Sequence, residues 1–458
     1  MVVDAARFLE EDAWGEELPQ EQALERARNL ASEETGLLFG LAASYKMVDL
    51  PKLYQYGVSV TPARLISDAS SALNLVDDNE GTGTSFLPPR AMIKAVGEGL
   101  ERYAVGIYRE RDLLWGSRSA LERQGHVCLD PNEIAGVVRD DSAPSLNESA
   151  MQWVAAYSVR THERMLVPAH LVFVPYRFHA DEPVIQPPIS TGCASGTSYG
   201  AALLRAILEL VERESFMLAY LHQHHPREFD LSQIDHPLIE RAITSLDYCR
   251  LELLILDITS DLGIPVALGI VVDRTGRYPA VNLGAKAGLS VRAAVVGAIE
   301  EAFQTMAWGR ALLAKLPAEI DRIKTAPLAI NSHEERMFFW AKAEMLRALE
   351  FFLSPTGRSP ISTDRRQGGS VRDSLKKTFA TLRAHGIDVY AKDLTTPDVR
   401  AHGFVVVKAM SPQLVPLYLE EEHRCWRAPR LFNVPRSLAW PEAKGDVLDL
   451  NQVPHPFL

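Results

Sequence analysis

The pattern Glu-x-x-Glu-Arg occurs twice in this chain, and both copies lie in segments with helical periodicity. Residues three apart share one face of a helix, with their Cβ atoms about 5–6 Å apart. Two ionised carboxylates at that separation repel each other by about 3 kcal/mol at an effective dielectric constant of about 20. A cation is therefore expected between them in any cleft. The members are Glu98, Glu101 and Arg102 in the first copy, and Glu209, Glu212 and Arg213 in the second.

Both carboxylate pairs stand among apolar residues, which indicates a partly buried setting. A single Glu-x-x-Glu-Arg is common on solvated helices, so a structural reading stays open beside a functional one. Oxygen ligands on two helices suit Mg²⁺, which takes carboxylates, waters and substrate phosphates. The sequence therefore predicts a site for ATP and magnesium. The predicted metal ligands are Glu98, Glu101, Glu209 and Glu212.

A third acidic segment, 300–304, adds Glu301 and Gln304 on one helical face. Arg102 and Arg213 each follow a carboxylate and could contact phosphate oxygens or orient the neighbouring glutamate. The chain has neither a Gly-x-x-x-x-Gly-Lys-Ser/Thr phosphate loop nor the signatures of protein kinases. Any nucleotide site is therefore built in a different way.

The composition is that of a folded protein that does not bind nucleic acid. The 458 residues are 47% hydrophobic, with 48 Lys+Arg against 59 Asp+Glu, a net charge of -11 and no basic run interleaved with aromatic residues. The N-terminus lacks the basic and apolar regions of a signal peptide, and the longest apolar stretches are strand-sized. Four scattered cysteines form no metal or disulfide pattern. We expect a cytoplasmic protein with no membrane contact.

Apolar periodicity predicts helices and strands in irregular alternation. A mixed α/β fold follows, with helices packed on mixed sheets around a central nucleotide cleft. We expect residues 1–75 to be an N-terminal elaboration and residues 76–458 to be the catalytic domain. The predicted helices are 18–40, 88–108, 198–223, 290–316, 332–353 and 371–385. The predicted strands are a hairpin over 152–175, and 251–257, 264–272, 278–283, 387–392 and 402–410, with an exposed loop over 354–370.

The run Ser-Thr-Gly-Cys-Ala-Ser-Gly at 190–196, followed by Ala-Ile-Leu-Glu-Leu-Val-Glu-Arg-Glu at 206–214, resembles the central signature of the YcaO family. Segments 95–103 and 298–304 are similar to its first and third acidic segments, in the same order. Segments 393–399 and 403–408 resemble its late segments. The resemblance spans residues 75–458.

The resemblance implies ATP held by magnesium between acidic helices. In azoline-forming members a Cys, Ser or Thr side chain of a peptide adds to the preceding amide carbon. The oxyanion takes the γ-phosphoryl group, and loss of phosphate leaves a thiazoline or oxazoline ring. The implied metal or nucleotide ligands are Glu98, Glu101, Glu209, Glu212 and Glu301. The residues implied near the phosphates or ribose are Arg102, Arg213, Gln304, Ser190 and Thr191.

The terminal segment Pro454-His455-Pro456-Phe457 resembles the proline-rich tail of the azoline-forming members, in which the C-terminus reaches the active site. Prolines pre-set an extended backbone, so such a tail is placed at small entropic cost. An ordinary frayed terminus is the structural alternative. The resemblance assigns a catalytic role to Pro454, His455, Pro456 and Leu458.

The chain departs from the family pattern at several positions. Segment 81–83 is Gly-Thr-Gly where many relatives carry Gly-Lys-Gly, and Lys94 stands where Ser is usual. Thr191 replaces a common Asn, and Leu458 replaces a final Pro. We predict that Lys94 supplies the missing phosphate cation, so that Lys94→Ala raises the KM for ATP.

Two further features have structural readings. His222, His224 and His225 end a predicted helix, where cationic histidines interact favourably with the helix dipole and the spacing suits zinc poorly. Cys193 is expected to be a small residue of the signature loop, because the chemistry of the family needs no cysteine nucleophile.

The resemblance also implies partners. The expected substrate is a precursor peptide with Cys, Ser or Thr in its core. Because only about 75 residues precede the core, a separate protein is expected to bind the leader peptide, and a dehydrogenase and a homodimer are further partners it allows. Two alternatives stay open: formation of a thioamide or amidine, and a non-catalytic protein that presents a peptide to a partner enzyme.

Overall fold

The computed structural model describes residues 6–32, 36–44, 53–61, 67–68, 80–134, 145–234, 237–276, 279–315, 330–361, 369–424, 426 and 428–458. Helices and three β-sheets pack together in these residues, so the predicted mixed α/β fold is confirmed. None of the described helices has both the length and the apolar character that a membrane span needs.

The described residues contain fourteen β-strands. They are β1 Leu38–Ala43, β2 Tyr54–Val60, β3 Glu80–Ser85, β4 Leu114–Gly116, β5 Met151–Ser158, β6 Arg164–Pro168, β7 Cys193–Gly196, β8 Arg227–Phe229, β9 Leu251–Asp257, β10 Val266–Asp273, β11 Val281–Ala287, β12 Arg358–Ser359, β13 Tyr390–Asp393 and β14 Val405–Met410. The sheets have the orders β1-β2-β3, β11-β10-β9-β8-β12 and β4-β5-β13-β14-β7, with β6 paired to β5. Neighbouring strands are antiparallel except β8 and β12, which are parallel.

The α-helices connect and cover these sheets. They are α1 Glu11–Trp14, α2 Gln20–Leu30, α3 Pro88–Val105, α4 Arg118–Arg123, α5 Tyr199–Leu221, α6 Pro237–Cys249, α7 Val291–Lys315, α8 His333–Trp340, α9 Glu350–Leu353, α10 Val371–Ala384, α11 Pro397–Ala401 and α12 Pro429–Ser437. Helix α5 packs against β7 and β14 of one sheet and against β11 of another. It is apolar around most of its circumference, as a helix between two sheets must be.

Two glycines explain how closely β3 approaches α3. A Cβ atom on Gly81 would lie 2.3 Å from the carbonyl oxygen of Ala95, and one on Gly83 would lie 2.2 Å from that of Ala91. Any larger residue at either position would push the strand away from the helix. The Gly-Thr-Gly segment therefore brings Thr82 next to the acidic face of α3.

Most predicted elements agree with the structure, and three are wrong in part. The 152–175 hairpin is β5 and β6, and the helices of both Glu-x-x-Glu-Arg copies are α3 and α5. The predicted 18–40 helix ends at Leu30, because the chain from Leu38 pairs with β2. The predicted 332–353 helix is broken after Trp340 by a 3-10 turn over Ala343–Leu349. Within the predicted 354–370 loop, β12 pairs with β8, and residues 362–368 lie outside the described residues.

The predicted boundary near residue 75 lies outside the described residues, and one sheet contains strands from both sides of it. Strands β1 and β2 precede it, β3 follows it, and β2 pairs with β3 from Tyr54↔Ser85 to Ser59↔Glu80. Helix α2 also packs on α3. The residues before and after the boundary thus share a sheet and a helix interface, and the division into 1–75 and 76–458 stays a prediction.

Candidate active site

Glu98 on α3 is held by donors from its own helix and from β3. Its Oε2 atom accepts hydrogen bonds from Thr82 N at 2.7 Å and Thr82 Oγ1 at 2.9 Å. Its Oε1 atom accepts one from Arg102 Nη2 at 2.8 Å. The carboxylate is thereby oriented on both sides, and Thr82 emerges as a site residue that its type alone did not indicate.

Glu101, one turn further along α3, points toward β7. Its Oε1 atom accepts hydrogen bonds from Ser195 N at 2.7 Å and Ser195 Oγ at 2.9 Å. Burial raises the pKa of Glu101 to about 7, and the nearby carboxylates of Glu209 and Glu98 add to this effect, while the hydrogen bonds from Ser195 oppose it. A buried carboxyl group with this pKa gains from a neighbouring cation.

The second copy of the pattern is bridged by its own arginine. Arg213 Nη1 donates to Glu212 Oε1 at 2.6 Å, and Arg213 Nη2 donates to Glu209 Oε1 at 3.1 Å. Glu212 Oε2 also accepts a hydrogen bond from Ala287 N at 2.9 Å. Burial raises the pKa of Glu212 to about 7, against the lowering effect of Lys286 and Arg213.

Helix α7 contributes Glu301 and Gln304. Glu301 Oε1 accepts a hydrogen bond from Lys286 Nζ at 2.7 Å, and the same Nζ lies 3.9 Å from Glu212 Oε2. Burial opposes the charge on Lys286, but Glu301 and Glu212 outweigh it and raise the pKa of the ammonium group above its usual value. Gln304 Nε2 donates to Thr82 Oγ1 at 2.9 Å. Sequence reasoning missed Lys286, because a lone lysine in an apolar strand carries no pattern.

A buried lysine holds the signature loop, residues 190–196, through backbone carbonyl groups. Lys408 on β14 is 1% exposed, and its Nζ donates to the carbonyl oxygens of Ile189 at 2.7 Å and Thr191 at 2.6 Å. Gly192, the next residue, donates its N–H to Glu209 Oε2 at 3.0 Å. Burial lowers the pKa of Lys408 to about 8. Lys408 therefore holds in place the loop whose Gly192 N–H donates to Glu209.

Lys94 lies at the wall of the cleft, but its ammonium group has a partner. Its Nζ lies 2.9 Å from Glu300 Oε2 and donates to the carbonyl oxygen of Thr84 at 3.2 Å. The role predicted for Lys94 as a phosphate cation stays a prediction. The carboxylate of Glu300, which the sequence reading left without a role, is 1% exposed.

The C-terminal tail reaches the cleft through its last two residues. Phe457 and Leu458 line the cleft, and the Phe457 ring centroid lies 4.4 Å from the guanidinium carbon of Arg213. Pro454 and His455 are buried, with their carbonyl oxygens accepting from Trp340 Nε1 at 3.0 Å and Arg336 Nη1 at 2.7 Å. Pro456 is also buried. The catalytic role predicted for Pro454, His455, Pro456 and Leu458 stays a prediction.

One cleft of about 1740 Å³ brings the predicted residues together. It is larger than the 300–1,000 Å³ or so of a typical small-ligand pocket, so it has room for a nucleotide and part of a second substrate. The predicted residues that line it are Lys94, Glu98, Glu101, Arg102, Ser190, Thr191, Glu209, Glu212, Arg213, Glu301, Gln304 and Leu458.

We call the five glutamates Glu98, Glu101, Glu209, Glu212 and Glu301 the acidic centre. In the described part of the chain, three cations contact them: Arg102, Arg213 and Lys286. When all five are ionised the centre is therefore two charges more negative than positive. The buried Nε of Arg213 has no hydrogen-bond partner among the described residues.

This donor set fits magnesium with a phosphate ligand. No three His, Cys, Asp or Glu side chains among the described residues lie close enough to hold a metal ion as they stand. Mg²⁺ is usually bound through one or two carboxylates, with waters and substrate phosphates completing its shell. The excess negative charge of the acidic centre and its oxygen-only ligands meet that requirement.

The two histidines at the end of α5 differ in the groups that contact their Nδ1 atoms. Burial lowers the pKa of His222, and its Nδ1 accepts a hydrogen bond from Lys444 N at 2.9 Å. His224 stacks on Trp440 with ring centroids 3.8 Å apart, and burial lowers its pKa as well. The prediction of a cationic histidine is therefore wrong for His222, whose Nδ1 is an acceptor, and stays a prediction for His224, whose Nδ1 lies 3.1 Å from Glu442 Oε2. Cys193 is buried in the signature loop, and burial raises the pKa of its thiol.

Several solved structures share this fold. A heterocyclase solved in complex with substrate and cofactor is 19% identical with a TM-score of 0.74, over 98% of this chain and 60% of that protein. YcaO from Methanopyrus kandleri, bound with AMPPCP and Mg²⁺, is 19% identical with a TM-score of 0.62, over 89% of this chain and 94% of that one. The E. coli microcin synthetase McbBCD complex is 15% identical with a TM-score of 0.55, over 81% and 87%. This chain spans about 60% of the length of the heterocyclase.

A protein-family model identifies the family of this chain from its sequence. The model described as YcaO cyclodehydratase, ATP- and Mg²⁺-binding, matches residues 82–415, which is more than two thirds of the chain. The matched stretch begins at Thr82 and includes α3, α5 and α7, the three helices of the acidic centre. The predicted cofactors, ATP and magnesium, are thereby confirmed. This protein belongs to the YcaO cyclodehydratase family.

Proposed function

We propose that this chain is the ATP-dependent cyclodehydratase component that converts Cys, Ser or Thr residues of a ribosomal precursor peptide into thiazoline or oxazoline rings. The observation that carries the proposal is the acidic centre, in which glutamates from α3, α5 and α7 line one cleft of a YcaO family member. The peptide substrate and the ring-forming reaction go beyond the family assignment.

In the proposed reaction, the thiol or hydroxyl group of the substrate side chain adds to the carbonyl carbon of the preceding residue. Bound ATP with magnesium supplies the phosphoryl group that the resulting oxyanion takes. Loss of phosphate, with the amide proton, leaves the C=N bond of the azoline ring. The net change is one water lost from the peptide per ring, with one ATP converted to ADP and phosphate.

The contribution of the chain is to orient groups and neutralise charge. Arg102, Arg213 and Lys286 are each held by a carboxylate of the acidic centre, and we propose that they face the phosphate oxygens. The proposed metal ligands are Glu98, Glu101, Glu209 and Glu212. The proposed nucleotide contacts also include Ser190, Thr191, Glu301 and Gln304.

A peptide and a separate leader-binding protein are the proposed partners. The heterocyclase neighbour is described with a bound substrate, and the microcin synthetase neighbour is a multiprotein complex. These descriptions belong to those proteins, and they support a peptide substrate and a partner protein here. A dehydrogenase partner, a homodimer and a cytoplasmic location stay predictions.

The test is ATP hydrolysis and peptide mass with a Cys- and Ser-rich precursor peptide, with and without a candidate leader-binding protein. We expect phosphate release together with loss of one water per ring, and we expect Glu209→Gln to abolish both. Glu240→Gln, which removes an exposed carboxylate of α6, is the matched control and retains both.

The peptide product separates the alternatives. Exchange of oxygen for sulfur indicates a thioamide. An azoline and an amidine both form with loss of one water, so fragmentation of the peptide separates them, because the azoline uses a Cys, Ser or Thr side chain and the amidine uses an amine. A Glu209→Gln variant that hydrolyses ATP as fast as the wild type would contradict a catalytic acidic centre and favour a peptide-presenting role.

A further inference from the structure

Glu300 is a buried carboxylate outside the predicted ligand set. It precedes Glu301 on α7, and its side chain is 1% exposed. Its Oε1 atom accepts hydrogen bonds from Ser85 Oγ at 2.6 Å and from Phe86 N at 3.1 Å. Both donors lie at the junction between β3 and α3, so Glu300 joins α7 to that junction.

Lys94 completes this contact from the second turn of α3. Its Nζ lies 2.9 Å from Glu300 Oε2 and also donates to the carbonyl oxygen of Thr84 on β3 at 3.2 Å. Arg90, one turn earlier, is 4.0 Å from the same Oε2 atom, and its side chain is 50% exposed. The short ion pair is therefore Lys94–Glu300, with Arg90 at its edge.

The same three elements carry one wall of the cleft. Thr82 on β3 donates to Glu98 on α3, and Gln304 on α7 donates to Thr82 Oγ1 at 2.9 Å. Gln304 lies one helical turn after Glu300. A shift of α7 that lengthens the ion pair would therefore also separate Gln304 from Thr82, because a helix moves as a rigid element.

Building on the proposed function, we propose that Lys94 and Glu300 are a positioning pair that fixes α7 against β3 and α3 and so aligns Thr82, Glu98, Glu301 and Gln304 for magnesium–ATP. Lys94 then acts through Glu300, and not as the phosphate cation that the sequence predicts. The partner of Lys94 differs from those of Arg102, Arg213 and Lys286, because Glu300 lies outside the acidic centre and a magnesium ion bound there would not replace Lys94 as its cation. If Lys94 turned to a phosphate, the buried Glu300 would keep only the half-exposed Arg90 at 4.0 Å as a cation, which is unfavourable.

The test is a double-mutant cycle on nucleotide binding. The Kd for AMPPCP with Mg²⁺ is measured by calorimetry for the wild type, Lys94→Met, Glu300→Gln and the double variant, with the Tm of each protein in parallel. Arg90→Met is the matched control, because it removes the neighbouring cation but leaves the short pair. We expect each single variant to raise the Kd about tenfold, the double variant to differ from either single by less than about threefold, and Arg90→Met to change it by less than about threefold.

Any other outcome contradicts the proposal that Lys94 and Glu300 act as a positioning pair. Weaker binding in Lys94→Met with unchanged or tighter binding in Glu300→Gln identifies Lys94 as a direct phosphate contact. Additive losses in the double variant show that the two residues act separately. A lower Tm with an unchanged Kd shows a role in stability alone. If Glu300→Gln does not fold, Glu300→Asp replaces it, since it keeps the charge but shortens the reach to Lys94 and is expected to weaken binding.

Failure of the proposed function has a different signature. A wild type that binds AMPPCP and Mg²⁺ but forms no ring in the precursor peptide contradicts the proposed reaction. In that case the double-mutant cycle still shows whether Lys94 and Glu300 position the nucleotide site together. A wild type that does not bind the nucleotide at all overturns both.

Discussion

The aromatic ring of Phe457 lies against the guanidinium group of Arg213, with 4.4 Å between the ring centroid and the guanidinium carbon. The same guanidinium donates to Glu209 at 3.1 Å and to Glu212 at 2.6 Å. Two carboxylates thus hold the guanidinium group, which lies over the Phe457 ring. The C-terminal tail therefore contacts Arg213, the arginine that joins Glu209 and Glu212.

Replacing Phe457 with Leu removes the ring face but keeps an apolar side chain against Phe216. A desolvated cation–π contact is worth about 1–2 kcal/mol, so we expect the Kd of magnesium–ATP to rise roughly five- to thirtyfold. Phe457→Tyr keeps the ring and is the control, with a Kd near that of the wild type. Equal Kd values for the Leu and Tyr variants would show that the ring does not orient Arg213.

The contribution of Glu101 to the stability of the metal-free protein should fall as the pH rises between about 4.5 and 7. Burial raises the pKa of Glu101 from 4.5 to about 7, so the folded state holds this proton more tightly than the unfolded chain does. Its contribution is fully present below pH 4.5 and is lost as the pH passes the folded-state value, by the linkage of proton binding to folding. Glu212 has a pKa raised in the same direction, again through burial.

Denaturant unfolding in EDTA at pH 5, 6, 7 and 8 measures this slope. A shift of this size corresponds to about 3 kcal/mol for one group, so the free energy of unfolding of Glu101→Gln relative to the wild type should rise over this range, and the variant should be the more stable protein at pH 8. A slope equal to that of the wild type would contradict the assignment. Adding Mg²⁺ with nucleotide at pH 7 should release protons, because the ligands bind as carboxylates.

Lys408→Met should loosen the signature loop while keeping the apolar stem of the side chain. The carbonyl oxygens of Ile189 and Thr191 lose their donor, and a buried group without a partner costs about 1–3 kcal/mol. We expect a lower free energy of unfolding and a higher Kd for nucleotide, because Gly192 no longer presents its N–H to Glu209. Lys408→Arg keeps donors in place and should retain more of both properties. An unchanged Kd in the Met variant would remove the link between this lysine and the cleft.

Arg336→Met should release the C-terminal tail. Arg336 and Glu421 are both 0% exposed and lie 2.8 Å apart. Leaving a buried charge without its partner costs about 3–5 kcal/mol, and the cost here is smaller because Arg424 still lies 3.0 Å from Glu421. The carbonyl oxygen of His455 also loses a donor. Hydrogen exchange should show faster exchange over 453–458, with a lower Tm. Arg274→Met, which breaks an exposed pair with Glu252, is the control and should change neither.

Local patterns predicted the elements that carry the site better than they predicted the site's cations. Helices α3, α5 and α7 were predicted within a few residues, because their apolar periodicity is long and regular. The end of α2 was overextended, since pairing of β1 with β2 outweighs local helical preference. The sequence predicts charged histidines after α5, and only the fold shows that His222 accepts a hydrogen bond from Lys444 N and that His224 stacks on Trp440.

By itself, the sequence determined that two carboxylate pairs stand on helices with an arginine beside each, because that geometry depends only on spacing within one helix. It also determined the family, through long runs of residues around those pairs. Only the tertiary structure decided that Lys286 pairs with Glu301, that Lys94 pairs with Glu300 and that Phe457 stacks on Arg213. These partners lie on different elements, and the packing that joins them, together with the burial that moves the pKa values of Glu101 and Glu212, is a property of the whole fold.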